Sequence, residues 1–230
     1  MISDYFTFVR ELPRSFPQIG AMLPSSPALG RLMVRPIRNA EHPLNILEVG
    51  PGTGPFTRQI LKLMRPRDTF VICEINSRFI SRLQKSLQKN PYYRRHEDRV
   101  LFFEGPVQEL PQSEYAHSFD VIVSSLPFMN FSPEMVDEIF GIFQSLAKSG
   151  GSLTFVQYVG LSKLVTLFCD KDSRERVRGV EHVIQEWCEK VTETGEVHKR
   201  ISVLNVPPAF SLEFEFGQNG VSQRPLSQHL

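Results

Sequence analysis

Two kinds of hydrophobic pattern alternate along the chain from residue 45 onward. Short runs rich in β-branched and aromatic residues predict strands, and longer stretches with apolar positions every three or four residues predict helices. The predicted strands are residues 45–50, 69–75, 100–103, 119–124, 152–158, 197–204 and 210–216. The predicted helices are residues 54–64, 77–89, 132–147 and most of 161–190. Repeated strand–helix units favour an α/β fold with a mainly parallel sheet and helices on both faces, and the last two strands are expected to be antiparallel.

Two of these helices carry further signals. The helix at 132–147 has Ser132 as its expected N-cap and Pro133 at its first position, where the backbone N–H has no helical partner. The helix at 77–89 is amphipathic, with arginines and lysines along its outer face. Its expected inward residues are Phe79, Ile80, Leu83 and Leu87.

The first 40 residues differ from the rest and are expected to form an amphipathic helical extension. Residues 1–20 place apolar side chains at helical spacing with arginines between them, and a short helix is expected at 28–35. We therefore divide the chain into an extension at 1–40, an α/β domain at 41–217 and a polar tail at 218–230. No apolar run is long enough to span a membrane, and acidic residues near the start do not fit a signal peptide.

Composition narrows the class of protein. The 230 residues are 41% hydrophobic with a net charge of +1, which excludes a disordered chain. The sequence pI of about 7.8 argues against a strong nucleic-acid binder. Three cysteines, at Cys73, Cys169 and Cys188, lack metal-ligand spacing, and their odd number argues against a disulfide framework. We therefore expect no metal site and a reducing, cytoplasmic environment.

A glycine-rich segment after the first strand carries the clearest chemical signal. From Glu48 to Gly54 the sequence is E-V-G-P-G-T-G, in which alternate glycines let the backbone turn sharply and approach a ligand closely. Pro55 replaces the last glycine of a dinucleotide fingerprint, and the lysine of a P-loop is absent. Glu74 ends the second strand, where a carboxylate can accept hydrogen bonds from both hydroxyls of a ribose. The pattern resembles that of class I methyltransferases, which use S-adenosylmethionine (SAM); the alternative is a plain tight turn and a surface charge.

This resemblance implies a set of cofactor-binding residues at the ends of the first four strands. They are Glu48, Gly50, Pro51, Gly52, Gly54, Glu74, Ile75, Val107, Ser124, Ser125 and Leu126. One departure concerns the adenine, because such enzymes often have an acidic residue soon after the third strand that accepts from its amino group. Pro106 stands there and also lacks an N–H. Contact with adenine is left to Glu104 or the Val107 backbone, or is weaker.

The segment after the fourth strand is where an acceptor is expected. Residues 124–131 read SSLPFMNF, whereas enzymes that methylate adenine amino groups carry N-L-P-Y or a similar motif there. Ser125 replaces the asparagine, which weakens the interpretation of a nucleobase acceptor. Phe128 and Phe131 either line the acceptor pocket or pack in the core.

Taken together, the motifs resemble the bacterial phospholipid N-methyltransferases, relatives of the rRNA adenine dimethylases. The segments that carry this resemblance are residues 8–29, 47–54, 124–131, 155–158 and 205–209. The resemblance implies a class I Rossmann-like fold, with one antiparallel strand in a seven-stranded sheet, and SAM as cofactor. It also implies methyl transfer to the headgroup amine of phosphatidylethanolamine, towards phosphatidylcholine, at the membrane surface.

Candidate acceptor residues follow from this interpretation. An ammonium group must lose its proton before its nitrogen can accept a methyl group, through a base or through desolvation. Tyr158, at the end of the fifth strand, and Asn130 are the catalytic candidates. The substrate-binding candidates are Pro127, Phe128, Phe131 and Asn205. The alternative for Asn205 is a rigid turn between two strands.

Membrane contact is expected to involve amphipathic segments with basic residues, at 2–16 and within 161–180. Each has an equal alternative, in which the helix packs on the body and exposes a solvated charged face. The expected partners are an anionic membrane surface and a phospholipid substrate, with no nucleic acid, for a monomer attached peripherally to the membrane. Two other functions stay open: a SAM-dependent methyltransferase for rRNA adenine, another aminolipid or a small amine, and a SAM-binding protein without catalysis.

Overall fold

The computed structural model describes residues 26–112, 115–158, 171–203 and 208–217. Its helices are α1 (Pro27–Met33), α2 (Arg35–Asn39), α3 (Pro55–Leu63), α4 (Ser77–Leu87), α5 (Pro91–His96), α6 (Pro133–Leu146) and α7 (Lys171–Thr192). Its strands are β1 (Asn45–Val49), β2 (Thr69–Glu74), β3 (Val100–Glu104), β4 (Phe119–Ser124), β5 (Ala147–Tyr158), β6 (Glu196–Ser202) and β7 (Ala209–Glu215). Short 3-10 turns lie at Glu97–Arg99, Val107–Gln112 and Phe128–Asn130.

The strands form one sheet in the order β3-β2-β1-β4-β5-β7-β6. β7 is antiparallel to both β5 and β6, and the other neighbouring strands are parallel. The prediction of a seven-stranded, mainly parallel sheet with one antiparallel strand is confirmed. The chain runs outward from β1 to β3 and then in the opposite direction from β4, so the strand order reverses between β1 and β4. In open α/β sheets, ligands bind at this reversal, beyond the carboxyl ends of the strands.

Helices cover both faces of the sheet, as the sequence predicts. On one face α6 and α7 pack through aromatic rings, and the Phe140 centroid lies 5.1 Å from that of Phe155 and 5.8 Å from that of Trp187. On the other face α1, α2, α3 and α4 bury a second cluster that includes Met33 and Phe56. Because helices cover both faces of the sheet at these strands, β1, β2 and β4 are buried over nearly their whole length.

The described start of the chain is packed on this second face. Ser26 caps α1 through its side chain, and the helix predicted at 28–35 ends at Met33. Thr154 Oγ1, on β5, donates a hydrogen bond to Met33 O over 2.8 Å. Residues 26–39 of the predicted extension therefore lie against the sheet, whereas residues 1–25 and 218–230 fall outside the described residues.

A buried carboxylate joins α2 to the last two strands. Glu213 on β7 is 2% exposed, and its Oε2 lies 3.4 Å from Arg35 Nε and 2.6 Å from Arg200 Nη1. Arg35 belongs to α2 and Arg200 to β6. One buried negative charge is thus shared by two guanidinium groups, which supply the pairing that a buried charge needs.

The expectation that Phe79 faces the core is wrong, because its side chain is 39% exposed. The three other predicted inward residues, Ile80, Leu83 and Leu87, are buried and recur at the spacing of one helical stripe. Phe79 lies at the border of this stripe, about 100° from Ile80 and about 40° from Leu83 around the helix axis, so its side chain is only partly covered. Asn76 caps the helix, because its Oδ1 accepts a hydrogen bond from Arg78 N.

The fifth strand begins five residues earlier than predicted. Ala147 pairs with Phe119 and Ser152 with Val121, so several residues of β5 bulge opposite one residue of β4. Gly150 lies in this bulge with a φ of +77°, a conformation that favours glycine. The irregularity interrupts the alternation of side chains, which is why the sequence pattern reveals only the regular part of the strand.

One of the two segments proposed to meet a membrane is partly described. Residues 171–180 form the start of α7, where Val177 and Val180 are buried, so these positions pack on the body of the protein. The other segment, 2–16, lies outside the described residues, as does 161–170. Within the ranges that the structure describes, no helix has the length and apolar character needed to cross a bilayer.

Candidate active site

The glycine loop joins β1 to α3 at the reversal of strand order. Gly50, Gly52 and Gly54 have φ angles of +70°, +55° and +78°, so all three occupy the left-handed region. Gly50 N donates to Cys73 O over 2.9 Å and extends the pairing of β1 with β2. Gly54 N donates to Pro51 O over 2.8 Å and closes the turn.

The space around each glycine differs. A Cβ at Gly54 would lie 2.5 Å from Leu83 Cδ1, and one at Gly50 would lie 2.9 Å from Leu126 Cδ2. A Cβ at Gly52 would meet no atom within 4 Å. Glycine at 50 and 54 therefore permits close packing of protein on protein, whereas Gly52 leaves an open approach to the backbone of the loop.

Glu48, near the end of β1, is fully buried behind this loop. Its Oε2 accepts a hydrogen bond from Thr57 Oγ1 over 2.6 Å. Its Oε1 is also buried and accepts no hydrogen bond from any residue in the described part of the chain. Burial raises the pKa of Glu48 from 4.5 to about 8, and the nearby charge of Glu74 adds to this. The loop is thus backed by a carboxyl group that holds its proton near neutral pH and has one oxygen open to a donor.

Glu74, at the end of β2, is 6% exposed and fixes the loop from the other side. Its Oε2 accepts from Gly52 N over 3.3 Å, and its Oε1 accepts from Asn76 N over 2.9 Å. Burial raises the pKa of Glu74, and the backbone hydrogen bonds oppose that rise. Each carboxylate oxygen has more than one lone pair, so these bonds leave capacity to accept ribose hydroxyls. Glu74 ends β2, as the sequence predicts, and its role as an acceptor for ribose hydroxyls stays a prediction.

The segment after β3 contains a residue that the sequence analysis missed. The Glu104 side chain is exposed and the Val107 side chain is buried in the core, which leaves the Val107 backbone as the better of these two adenine contacts. Gln108 follows, and its Oε1 is buried without a hydrogen-bond donor among the described residues. The sequence signal for Gln108 was its place two residues after Pro106, which occupies the position expected to be acidic.

The expected acceptor segment lies beside the glycine loop. Ser125 N donates to Val49 O over 2.9 Å, and Leu126 lies next to Gly50. The structure thus brings the predicted cofactor residues of β1 and β4 together. Ser125 Oγ is buried, and no described residue forms a hydrogen bond with it. This hydroxyl stands where the adenine-methylating enzymes have an amide.

Phe128 and Phe131 lie in the core, which was the alternative to substrate contact. They are 3% and 2% exposed. The Phe128 ring centroid lies 5.1 Å from that of Phe140 and 5.6 Å from that of Phe155. Both rings therefore support the segment from behind in this conformation. Pro127 and Asn130 are partly exposed at the surface of the same turn.

Tyr158 lies at the end of β5, on the face opposite Phe128. Its partly buried ring packs against the cluster of α1–α4, whereas Phe128 belongs to the cluster of α6 and α7. Burial raises the pKa of the Tyr158 phenol. Tyr158 and Phe128, which are both predicted to contact the acceptor, therefore do not line the same wall of a pocket. Asn205 lies outside the described residues.

Comparisons with known proteins agree with this geometry. Residues 41–203 match the model of a family described as a methyltransferase domain. The chain belongs to this family. An ornithine lipid N-methyltransferase of Singulisphaera acidiphila is 31% identical over 157 residues, which cover 65% of this chain and 76% of that protein.

Solved structures of methyltransferases share the fold. The O-methyltransferase TomG of Streptomyces achromogenes, in complex with SAM, has a TM-score of 0.60 at 19% identity and covers 94% of this chain and 89% of its own. An O-methyltransferase of Bacillus cereus, in complex with SAH, has a TM-score of 0.57 at 18% identity and covers 94% and 100%. Our protein is accordingly a SAM-dependent methyltransferase.

The described residues of this methyltransferase fit SAM. The open backbone at Gly52 admits a ligand, and Glu74 offers acceptors for ribose hydroxyls. Glu48 Oε1 would accept from an ammonium group, because a nearby cation favours the deprotonated form of this carboxyl group. Gln108 Oε1 offers an acceptor for an adenine amino group. SAM supplies an electrophilic methyl group on a sulfonium when it is bound. The chain's own contribution is to hold and align the two partners and to exclude water from them.

Proposed function

We propose that this methyltransferase transfers methyl groups to the headgroup amine of a membrane lipid, with phosphatidylethanolamine as the acceptor, towards phosphatidylcholine. The observation that carries this proposal is the similarity to a protein named for the N-methylation of ornithine lipid. Both acceptors are amines on an amphiphile. The Leu-Pro-Phe segment after β4, with Ser125 in place of an amide, agrees with an amine acceptor other than a nucleobase.

The described residues on the acceptor side of the site include few ionisable groups. Around the end of β4, the Ser125 hydroxyl is the buried polar group without a described partner, and Tyr158 supplies a neutral phenol at the end of β5. Transfer of the amine from water into this site would lower its pKa and so help its proton to leave before methyl transfer. Aromatic rings near an amine would also stabilise the methylated, cationic products.

The name of the relative supports a second acceptor within the same class, ornithine lipid. Its free amine is also an alkyl ammonium group that has to lose a proton first. The two acceptors differ in the anionic group near the amine, since phosphatidylethanolamine carries a phosphate and ornithine a carboxylate. The assay must therefore contain both.

The test is methyl transfer from labelled SAM to vesicles of phosphatidylglycerol mixed with either phosphatidylethanolamine or ornithine lipid, with chromatography of the extracted lipids. We expect methylated phosphatidylethanolamine from the wild-type enzyme and none from Glu74→Ala, which lacks the ribose acceptor. Methylated product from ornithine lipid alone would show that ornithine lipid, and not phosphatidylethanolamine, is the acceptor. Product from unmethylated rRNA, with neither lipid modified, would overturn the lipid proposal and favour the adenine alternative.

A further inference from the structure

One stretch of the chain carries many cationic side chains and no acidic one. Residues 75–96, which contain α4 and α5, have six Lys/Arg and no Asp or Glu. The other 208 residues carry 20 Lys/Arg and 25 Asp/Glu, so the charge of the molecule is strongly asymmetric. All six cationic residues are exposed, and we call them the basic face: Arg78, Arg82, Lys85, Lys89, Arg94 and Arg95.

Ion pairs within the described ranges leave the basic face charged. None of its six residues forms an ion pair with a described residue. The acidic residues that follow it have other contacts, since Asp98 pairs with Arg99 over 3.4 Å and Glu97 Oε1 accepts from Gln88 Nε2 over 3.2 Å. Cations three or four residues apart on a helix also repel one another. The basic face is therefore an arrangement that the fold itself does not require.

The cations of α4 point away from the body of the protein. At about 100° per residue, Arg78, Arg82 and Lys85 lie within about 60° of one another around the helix axis. The buried stripe that begins at Ile80 is centred about 160° from them. The charged groups therefore form the outermost line of this helix.

The helices that carry the basic face lie on one side of the sheet. Leu83 of α4 and Tyr93 of α5 are buried in the same apolar cluster. The neighbouring helix α3 adds a further cation, because Lys62 Nζ and Arg95 Cζ lie 6.0 and 5.9 Å from the centroid of the Tyr92 ring. The cations thus belong to a single layer of helices.

This layer reaches the edge of the sheet where the cofactor is expected. α4 begins at Ser77, three residues after Glu74, which accepts from Gly52 N in the glycine loop. Its 11 residues extend for about 16 Å. Phe79, in the first turn, is 39% exposed and follows Arg78. An apolar side chain therefore borders the basic face close to the site.

We infer that the basic face binds an anionic lipid surface, with Phe79 entering the interface beside it. Each Lys or Arg near such a surface adds to the attraction, and a basic helix with an aromatic border is suited to the headgroup region. RNA is the competing polyanion, but RNA recognition stacks unpaired bases on accessible aromatic rings. Tyr93 is buried, and Tyr92 is partly buried beside two cations.

This inference rests on the proposed function and adds how the enzyme reaches its membrane. The methylated headgroup and its precursor do not differ in charge at neutral pH. The anionic lipids beside them, and not the acceptor, would then determine how much enzyme is bound. Methyl transfer to vesicles should therefore rise with the content of phosphatidylglycerol at a fixed content of phosphatidylethanolamine.

The test compares Arg82→Glu/Lys85→Glu with the wild type and with Lys171→Glu/Arg178→Glu. The second pair is the matched control, because it changes the net charge equally at exposed positions of α7, on the other side of the sheet. It also lies in the other segment expected to meet a membrane. Co-sedimentation uses vesicles of phosphatidylglycerol and phosphatidylethanolamine at 0.1 M salt.

We expect Arg82→Glu/Lys85→Glu to bind these vesicles about tenfold more weakly or worse, and the control to bind within about twofold of the wild type. Salt at 0.5 M should weaken binding of the wild type by screening. Phe79→Ser should weaken binding at both salt concentrations, because its contribution is apolar. Thermal unfolding of Arg82→Glu/Lys85→Glu should not be lowered, since the new glutamates lie four residues from Arg78 and Lys89.

Activity separates docking from catalysis. Arg82→Glu/Lys85→Glu should lose methyl transfer to vesicles in proportion to binding. It should keep methyl transfer within about twofold on a short-chain phosphatidylethanolamine dispersed as monomers, since neither residue lies in the site.

Wild-type binding to vesicles that is absent, or that is equal in Arg82→Glu/Lys85→Glu, would overturn the inference. So would an equal loss in both double variants, which would show a general effect of charge. Binding of rRNA in a gel-shift assay that Arg82→Glu/Lys85→Glu abolishes, with vesicle binding unchanged, would assign the basic face to RNA. Failure of the proposed function gives a different result, in which the wild type methylates no lipid in either form while the basic face still controls vesicle binding.

Discussion

Thr57 and Glu48 form a hydrogen bond behind the glycine loop in which both side chains are fully buried, with 2.6 Å between Oγ1 and Oε2. Thr57 lies on α3 and Glu48 on β1, so the bond joins the two elements that the loop connects. It stabilises the carboxylate only in part, because burial still raises the pKa of Glu48 to about 8. The Glu48 carboxyl group therefore keeps its proton in the folded enzyme at neutral pH.

We predict that Glu48 makes the folded enzyme less stable as pH rises from about 5 to 8. In that window Glu48 of the unfolded chain loses its proton and the folded protein retains it, so rising pH favours unfolding. The pKa difference corresponds to a free energy on the order of 5 kcal/mol. Urea unfolding of Glu48→Gln should show a stability gain over the wild type that is larger at pH 8 than at pH 5.

The matched control for this prediction is Glu193→Gln, which removes an exposed carboxylate near the end of α7. Its difference from the wild type should be small and independent of pH. An equal effect of Glu48→Gln at both pH values would contradict the retained proton.

We predict that Gly52→Ala affects cofactor binding more than stability, and that Gly54→Ala does the reverse. Both carry the strain of a left-handed residue, about 1–2 kcal/mol. The added methyl group has open space at Gly52, where it would project toward the approaching ligand, but it meets Leu83 at Gly54. Calorimetric titration with SAH and thermal unfolding measure the two effects. Equal loss of SAH affinity and of stability in both variants would argue against an open approach over Gly52.

We predict that Gln108 is a source of selectivity for adenine. Its buried Oε1 lacks a described donor, and an amino group at C6 of the purine would supply one. A neutral hydrogen bond of this kind contributes about 0.5–1.5 kcal/mol. Gln108→Ala should bind SAH a few-fold to tenfold more weakly and should lose the preference for SAH over its inosine analogue.

Gln185→Ala, on the exposed side of α7, is the control for this substitution and should bind both compounds as the wild type does. If Gln108→Ala kept the full preference for SAH, another group would have to accept from the adenine.

We predict that Tyr158 acts on the acceptor and not on the cofactor. Burial raises the pKa of its phenol, so the hydroxyl stays neutral through the alkaline range in which lipid amines lose their protons. Tyr158→Phe should lower kcat for the lipid amine and leave the affinity for SAM unchanged. The same measurement on Asn130→Ala tests the second catalytic candidate. Full turnover with normal SAM affinity in both variants would show that the acceptor side was assigned to the wrong residues.

The sequence was sufficient for the sheet, for the glycine loop after β1 and for the place of Glu74 at the end of β2. Strands buried on both faces show as continuous apolar runs, and a loop with left-handed residues shows as glycines, so Gly50–Gly54 and Glu74 were found by type and order. These features are local. Their signals lie in residues that are adjacent in the chain or follow consecutive strands.

The acceptor side was harder to predict from the sequence, because packing decides which of its residues face a ligand. Phe128 is an aromatic residue of the kind that stacks on a substrate. Its contacts with Phe140 and Phe155 nevertheless place it in the core. Tyr158 faces the opposite side of the sheet, a fact that depends on the register of β5 after its bulge. A buried oxygen that lacks a hydrogen-bond donor among the described residues, such as Gln108 Oε1, can be recognised only after burial is known.

Glu213 links the helix α2 to the outermost strand of the sheet, β6. Arg35 reaches it from α2 and Arg200 from β6, and each holds the same carboxylate oxygen. A displacement of α1 and α2 would therefore be transmitted to the end of the sheet through a single ion cluster. The described helices at the start of the chain and the outermost strand would then move as one mechanical unit, so that the sheet beyond β5 is braced from one side by a single charge.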